Sequence, residues 1–262
     1  MRFLIFGDIV GKIGRHALRA TLPDLREELK PDIVLANGEN LAHGLGATES
    51  TLNEVRDAGV TLFTSGNHIW NKPEGVELLR QTDPPIIRPA NYPPSTPGVG
   101  WKMLSVAGKD VLVVNLLGRV FMKDLVDDPF HTIDTILAEH PAIVTVIDFH
   151  AEVTSEKCSL GWYLNGRASI LYGTHTHIAT ADTRILPKGT AYVTDVGMTG
   201  ARDSVLGVDP ATAIPGYTTG IGTRFVWPET GVAIVQGIIV DVEDASGTAT
   251  HIERFEREVT IT

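Results

Sequence analysis

Five short apolar runs in this chain are each followed at once by a residue that can bind a metal ion. The runs cover residues 2–7, 32–38, 60–66, 142–149 and 168–174, and they end at Asp8, at Glu39 and Asn40, at Asn67 and His68, at His150, and at His175 and His177. Short continuous apolar runs bounded by glycine or polar residues are typical of buried strands. In open α/β sheets, ligands collect beyond the carboxyl ends of the strands. The sequence therefore predicts one pocket that gathers all of these side chains.

Strands and helices alternate in the first part of the chain, which predicts parallel pairing. Leucines recur at helical spacing over residues 14–29, and Pro23 is expected near an end of this helix or at a kink. Residues 51–54 resemble a capping box that opens a second helix, which should end near Gly59.

The later part of the chain has a different pattern. Strand-like runs separated by turns cover residues 101–107, 110–117, 189–194, 232–242 and 250–260. Such spacing is typical of antiparallel pairing, and we expect these runs to form a second sheet. Together, the two patterns predict an α/β fold in which a two-sheet mixed β-sandwich is flanked by helices.

The composition narrows the class of protein. With 262 residues, 43% of them hydrophobic, and no linker or repeat, the chain is expected to form a single domain over residues 1–262. A formal charge of -10 argues against a surface for duplex nucleic acid or anionic lipid. No apolar run is long enough for a signal peptide or a membrane span. Because the single cysteine, Cys158, permits no intrachain disulfide, we expect a cytoplasmic protein.

The polar residues at the strand ends are weak signals singly and a strong signal together. A carboxylate such as Asp8 after a strand is more often a turn former or helix cap, and a lone histidine such as His150 is more often structural. His175 and His177 are a stronger signal. Residues two positions apart in an extended segment have their side chains on the same side, so both imidazoles could face one metal site. The conjunction of carboxylates, amides and imidazoles at five strand ends predicts a metal site.

These motifs resemble, in order and approximate spacing, those of the calcineurin-like metallophosphoesterases. The matching segments are Gly7-Asp8, Asn37-Gly38-Glu39-Asn40, Gly66-Asn67-His68, His150 and Gly173-Thr174-His175-Thr176-His177. Residues 1–71 and 195–200 are also similar to the bacterial YmdB-type branch of that superfamily. The resemblance implies a four-layer α/β/β/α fold. It also implies a hydrolase of small phosphodiesters, among them 2',3'-cyclic nucleotides.

Two departures from the superfamily pattern compensate each other. Most members carry a histidine two residues after the first aspartate, where this chain has Val10, and a bridging aspartate where this chain has Glu39. Asn40 can supply a carbonyl oxygen to the ion that loses the histidine, while Glu39 still bridges. After His68 the frequent acidic residue is replaced by Ile69. The sequence therefore leaves open which residue orients His68.

Carried over residue by residue, the resemblance implies two metal shells that share Glu39. One ion would be held by Asp8, Glu39, Asn40 and His177, and the other by Glu39, Asn67, His150 and His175. Two such ions, roughly 3.5 to 4 Å apart as in other two-metal sites, would activate a water for attack on phosphorus. The donors suit Mn or Fe as well as Zn. His68, which is not itself assigned as a ligand, would be the general acid that protonates the leaving oxygen.

Several alternatives stay open at the level of sequence. The same residues would serve a phosphomonoesterase, or a non-catalytic metal-binding regulatory protein on the same scaffold, although the latter has no use for a proton donor at His68. Thr199 and Arg202 lie in a glycine-rich loop that could reach a phosphate or be an ordinary surface loop. A small phosphodiester or nucleotide is the expected partner, and a homo-oligomer is not excluded.

Overall fold

Two six-stranded sheets form the centre of the molecule, and helices cover their outer faces. The computed structural model describes all residues from 1 to 262. In chain order the strands are β1 (Arg2–Ile9), β2 (Ile33–Asn37), β3 (Leu62–Thr64), β4 (Trp101–Val106), β5 (Lys109–Leu117), β6 (Val144–His150), β7 (Ile170–Thr174), β8 (Arg184–Ile185), β9 (Ala191–Val193), β10 (Met198–Ala201), β11 (Gly231–Val242) and β12 (Ala249–Ile261). The helices are α1 (Gly11–Leu29), α2 (Glu49–Arg56), α3 (Pro73–Leu79), α4 (Pro129–Glu139), α5 (Thr154–Tyr163) and α6 (Pro210–Thr219), with a 3₁₀ turn at Asn67–Asn71.

The five apolar runs at the predicted strand positions are β1, β2, β3, β6 and β7. The first sheet has the order β12-β11-β10-β1-β2-β3, and the second has the order β4-β5-β6-β7-β9-β8. β1, β2 and β3 pair in parallel, and so do β5, β6, β7 and β9. Parallel strands end at the same edge of their sheet, so the polar residues that follow them are brought to that edge.

Alternating side chains along the strands divide the core into three parts. Phe3 of β1 and Val113 of β5 belong to the apolar core between the two sheets. Leu4, the next residue of β1, packs with the residues of α1, and Leu112 of β5 packs with those of α4 and α5. This alternation follows from the period of two in a β-strand. The predicted four-layer order of helix, sheet, sheet and helix is confirmed.

The prediction that the later runs form a separate antiparallel sheet is wrong. β4 pairs antiparallel with β5, and β11 with β12, but β11 also pairs antiparallel with β1 in the first sheet. β5 pairs in parallel with β6 because the intervening chain contains α4, which supplies the crossover that parallel strands need. The later strands are therefore shared between the two sheets.

Helix boundaries differ from the prediction at two places. Pro23 lies inside α1 and not near an end, and its position on the exposed face lets water reach the carbonyl that lost its partner. The kink, given as the alternative, stays a prediction. The N-cap of α2 is Thr48, three residues earlier than expected. Its hydroxyl accepts the Thr51 N–H, and the Thr51 hydroxyl accepts the Thr48 N–H, so Thr51 replaces the usual acidic partner. None of the helices combines the length and the apolar character that a membrane span requires.

Candidate metal centre

The eight residues singled out at the strand ends all lie where the carboxyl ends of the two sheets meet. Their positions are Asp8 near the end of β1, Glu39 and Asn40 after β2, Asn67 and His68 at the start of the 3₁₀ turn after β3, His150 at the end of β6, and His175 and His177 after β7. The first five come from one sheet and the last three from the other. The seven predicted ligands are thus brought into one centre that both sheets build.

Three of these residues surround the Nε2 atom of a fourth, His150. This nitrogen lies 3.0 Å from Glu39 Oε1, 3.3 Å from Asn67 Oδ1 and 3.0 Å from His175 Nδ1. We call these four residues the His150 group. Three of them, Glu39, His150 and His175, place their donor atoms within 4.8 Å of one another. They are the four residues that the resemblance assigned to one ion.

Three residues, one of them again Glu39, surround the side-chain amide of Asn40. Its nitrogen lies 3.4 Å from Asp8 Oδ1, 3.5 Å from Glu39 Oε1 and 3.2 Å from His177 Nε2. A half-turn of the amide exchanges its nitrogen and oxygen, so the carbonyl oxygen can take this position. We call Asp8, Glu39, Asn40 and His177 the Asn40 group. Both groups contain the same atom, Glu39 Oε1.

The donor set and its spacing fit metal ions. Oxygen and nitrogen atoms that bind one ion at about 2.0 to 2.2 Å stand a little over 3 Å apart, which is the separation found in both groups. Carboxylate, amide and imidazole donors are combined in each, as transition metals of intermediate softness prefer. Glu39 Oε1 is the donor atom that the two groups share.

Each histidine of the centre has its second ring nitrogen bonded to another part of the protein. His150 Nδ1 lies 2.8 Å from Thr174 Oγ1, and His177 Nδ1 lies 2.9 Å from the carbonyl oxygen of Leu206. His175 uses the opposite face: its Nε2 lies 3.1 Å from Glu152 Oε2, which turns its Nδ1 toward His150. Such bonds fix the orientation of a ligand ring. Three ring nitrogens are therefore aimed into the centre by the protein itself.

Behind His150 lies a buried polar chain that the sequence analysis missed. The Thr174 hydroxyl donates to Asp148 Oδ1 at 2.7 Å, and the Thr64 hydroxyl donates to Asp148 Oδ2. Since the one hydroxyl proton of Thr174 goes to Asp148, His150 Nδ1 must donate to Thr174, which leaves Nε2 as the nitrogen that binds. Burial raises the pKa of Asp148 to about 7, against the pull of His150. A single charged residue inside the otherwise apolar strand β6 was the available signal.

The segment that carries His175 and His177 has a strained backbone that is held by hydrogen bonds to buried side chains. The sequence predicted an extended segment, but the structure differs. His175 has φ of 94° and His177 has φ of 63°, both in the left-handed region. Asp195 Oδ2 accepts hydrogen bonds from the backbone and hydroxyl of Thr176, at 3.2 and 2.8 Å. The buried Lys157 ammonium lies 2.7 Å from the same oxygen and 2.7 Å from the Thr174 carbonyl. This buried ion pair holds the unusual backbone in place.

The remaining candidates are placed as follows. The backbone N–H of His68 donates to Glu39 Oε2 at 2.8 Å, while its ring is half-buried and has no hydrogen-bond partner in the protein. Thr199 is buried in β10, and the guanidinium of Arg202 is bonded to Asp203 and Glu258. The His68 ring is thus free to bond a bound molecule, whereas Arg202 is already engaged with two carboxylates.

Charges in the centre are strongly coupled because it is buried. Burial raises the pKa of Asp8, although His177 and His150 oppose the effect. Burial acts in the same direction on Glu39, but His150 outweighs it and brings the Glu39 pKa to about 2. The two carboxylates in turn outweigh burial at His150 and raise its pKa to about 9, whereas burial and His150 lower the pKa of His175 to about 3. Without a metal, the positive charge that the carboxylates require is therefore supplied by the proton on His150.

Gly66 leaves the space in which the His150 group is assembled. A β-carbon at this position would lie closer than 3.0 Å to the His150 ring and to Glu39 Oε2. We expect Gly66→Ala to weaken metal binding by about 10- to 100-fold, as loss of a ligand's outer-shell partner does. Titration of the metal-free protein with Mn or Zn measures this. Gly222→Ala is the matched control, since a β-carbon there meets nothing within 4 Å. Equal affinities for a folded Gly66→Ala and this control would contradict the arrangement.

The sequence is similar over most of its length to a known family and to a characterised relative. A family model described as YmdB-like protein matches residues 4–255. The chain is 46% identical over 257 residues to the 2',3'-cyclic-nucleotide 2'-phosphodiesterase of Bacillus subtilis (strain 168), an alignment that covers 97% of this chain and 96% of that protein.

Two crystal structures have the same fold over nearly their whole length. A hypothetical protein from Thermus thermophilus superposes with a TM-score of 0.93 at 42% identity, covering 98% of this chain and 99% of that one. A novel phosphatase from Mycoplasma pneumoniae superposes with a TM-score of 0.93 at 30% identity, covering 100% and 94% of the two chains.

Proposed function

Since the chain belongs to the YmdB-like family, we propose that it is a metal-dependent phosphodiesterase that hydrolyses 2',3'-cyclic nucleotides and similar small phosphodiesters. One observation carries the proposal: the His150 group and the Asn40 group meet at a single carboxylate oxygen, Glu39 Oε1. The 46% identity to the phosphodiesterase of Bacillus subtilis supports the substrate class.

The metal complement we propose is two transition-metal ions per chain. Asp8, Asn40 and His177 would bind one ion, Asn67, His150 and His175 the other, and Glu39 both. Mn, Fe and Zn all accept this mixture of donors. When bound, such ions supply Lewis-acid chemistry and activate water near neutral pH.

The protein's own residues have two further tasks in this proposal. The orientation of the three histidines by Thr174, Glu152 and the Leu206 carbonyl keeps the donors in place during turnover. His68 would give a proton to the ribose oxygen that leaves phosphorus, a group that departs poorly as an alkoxide. Its backbone bond to Glu39 Oε2 fixes the position of this donor relative to the shared carboxylate.

The test is a hydrolysis screen on protein whose metal content is known. We expect protein isolated without chelators to carry close to two transition-metal ions per chain by elemental analysis. Among phosphomonoesters, linear diesters, and 3',5'- and 2',3'-cyclic nucleotides, we expect the 2',3'-cyclic compounds to give the highest kcat/KM.

Three results would count against the proposal. A metal-free chain that gains no activity with Mn, Fe or Zn removes the metal-dependent mechanism. Preferred turnover of phosphomonoesters assigns the centre to a phosphatase, and ion binding without any turnover assigns it to a regulatory protein.

A further inference from the structure

A second concave site lies apart from the metal centre, between residues 88–101 and helix α4. It is a groove of about 670 Å³, within the size range of small-molecule sites. None of the seven proposed metal ligands lines it. We call it the Arg88 groove. Its lining includes Arg88, Asn91, Trp101, His131, Thr132 and Thr135.

Arg88 is a buried cation without a counter-charge. Its side chain is 6% exposed, and no carboxylate lies within ion-pair distance. Nε and Nη1 donate to the carbonyl oxygens of Pro97, Pro89 and Ala90, at 3.3, 2.7 and 3.3 Å. Nη2 donates to no protein atom, although Arg88 lines the groove. One nitrogen of a fork that stays charged at every physiological pH is therefore left for a ligand.

Lys157, unlike Arg88, has a buried counter-charge. Arg88 and Lys157 are the arginine and the lysine that the fold buries. Lys157 is paired with Asp195 at 2.7 Å. Burying a charge is costly unless it is paired, and carbonyl dipoles compensate a full charge only in part. An anion bound at Arg88 would give this guanidinium the counter-charge that Asp195 gives to Lys157.

The walls of the groove indicate the rest of the ligand. Trp101 stacks on His140 with ring centroids 3.8 Å apart, which holds the indole as a rigid wall. Thr132 and His131 on α4 add polar groups. The acidic residues that also line the groove are exposed, and one of them, Asp128, is occupied in capping α4. The negative charges are thus at the rim, and the buried charge is positive.

We propose that the Arg88 groove binds a small molecule through an oxyanion, either a phosphate or a carboxylate, with its remainder against Trp101. A guanidinium matches both kinds of oxyanion with paired hydrogen bonds. This site is independent of the phosphodiesterase activity.

The NMR resonance of the Trp101 indole N–H reports on binding at the groove itself. It is assigned by its absence in Trp101→Phe. Titration of the metal-loaded protein with inorganic phosphate, adenosine monophosphate and citrate should shift this signal, and the tightest of the three identifies the source of the oxyanion. In Arg88→Gln we expect the affinity read from this signal to fall by about tenfold or more, because the charge-assisted bond is lost. Arg254→Gln is the matched control, since it removes an equal charge from the exposed face of β12.

A second variant keeps the test independent of folding at Arg88, whose guanidinium also ties the surrounding loop. Thr132→Phe fills the groove and leaves Arg88 in place, and we expect it to abolish the shift while the melting temperature stays near that of the parent. The proposal is overturned if none of the three probes shifts Trp101 in the parent. It is also overturned if Thr132→Phe binds like the parent.

Discussion

Glu39→Gln is expected to release metal from both groups of the centre and to lose nearly all activity. Glutamine keeps the size of the side chain but removes the charge that two cations would share. Glu39 Oε1 is the atom common to the His150 group and the Asn40 group, so both groups are affected. We expect affinity for both ions to fall by about 100-fold or more, at least as much as loss of an outer-shell partner costs. Elemental analysis after dialysis, with rates on a 2',3'-cyclic nucleotide, measures this.

Asp8→Asn separates a shared ligand from an unshared one. Asp8 is 3.4 Å from the Asn40 amide and belongs to the Asn40 group alone. We expect this variant to lose one ion and keep the other. Glu74→Gln, which removes the same charge from an exposed position in α3, should match the parent. If Glu39→Gln holds two ions and turns over at the parent rate, Glu39 is not a bridge.

His68→Ala is expected to retain both ions and the fold while losing two to four orders of magnitude in rate on a ribose ester, roughly the contribution of a positioned general acid. The bond from residue 68 to Glu39 Oε2 comes from the backbone N–H, which alanine keeps. The variant therefore removes the imidazole without disturbing the shared carboxylate. A nitrophenyl phosphodiester, whose leaving group needs no proton, should lose much less. The measurement is the pair of rate ratios on metal-quantified protein.

The opposite signature would assign another role to His68. Equal losses on good and poor leaving groups would rule out proton donation, and reduced metal content would make His68 a ligand. His251→Ala, at an exposed position in β12, is the control for removal of an imidazole.

Local patterns in the sequence were sufficient to predict the strands that build the centre and the residues that follow them. An apolar run of β1 or β6 has to be buried, and the polar residue that ends it, Asp8 or His150, has to lie at the edge of the sheet. The convergence of these residues could be predicted because parallel pairing brings strand ends together. No knowledge of distant contacts was needed for that step.

Features that depend on contacts between distant segments could not be predicted. Lys157 and Asp195 are each ordinary in their sequence context, and only the approach of α5 to the segment after β9 makes them a buried pair. Asp148 was hidden for the same reason, because its partners Thr64 and Thr174 lie on different sheets. The sheet to which β11 belongs is decided by its pairing with β1, and periodicity carries no information about that choice.

The place of β1 in the first sheet has a consequence for synthesis on the ribosome. β1 leaves the ribosome before the other eleven strands, yet two of its neighbours, β10 and β11, are made only after β2 to β9. Until then one edge of a largely apolar strand has no partner, a condition that favours aggregation of nascent chains. The pairing of β1 is therefore completed only once β11 has been made. The unpaired edge of β1 is exposed throughout that interval, which is the period in which aggregation is favoured.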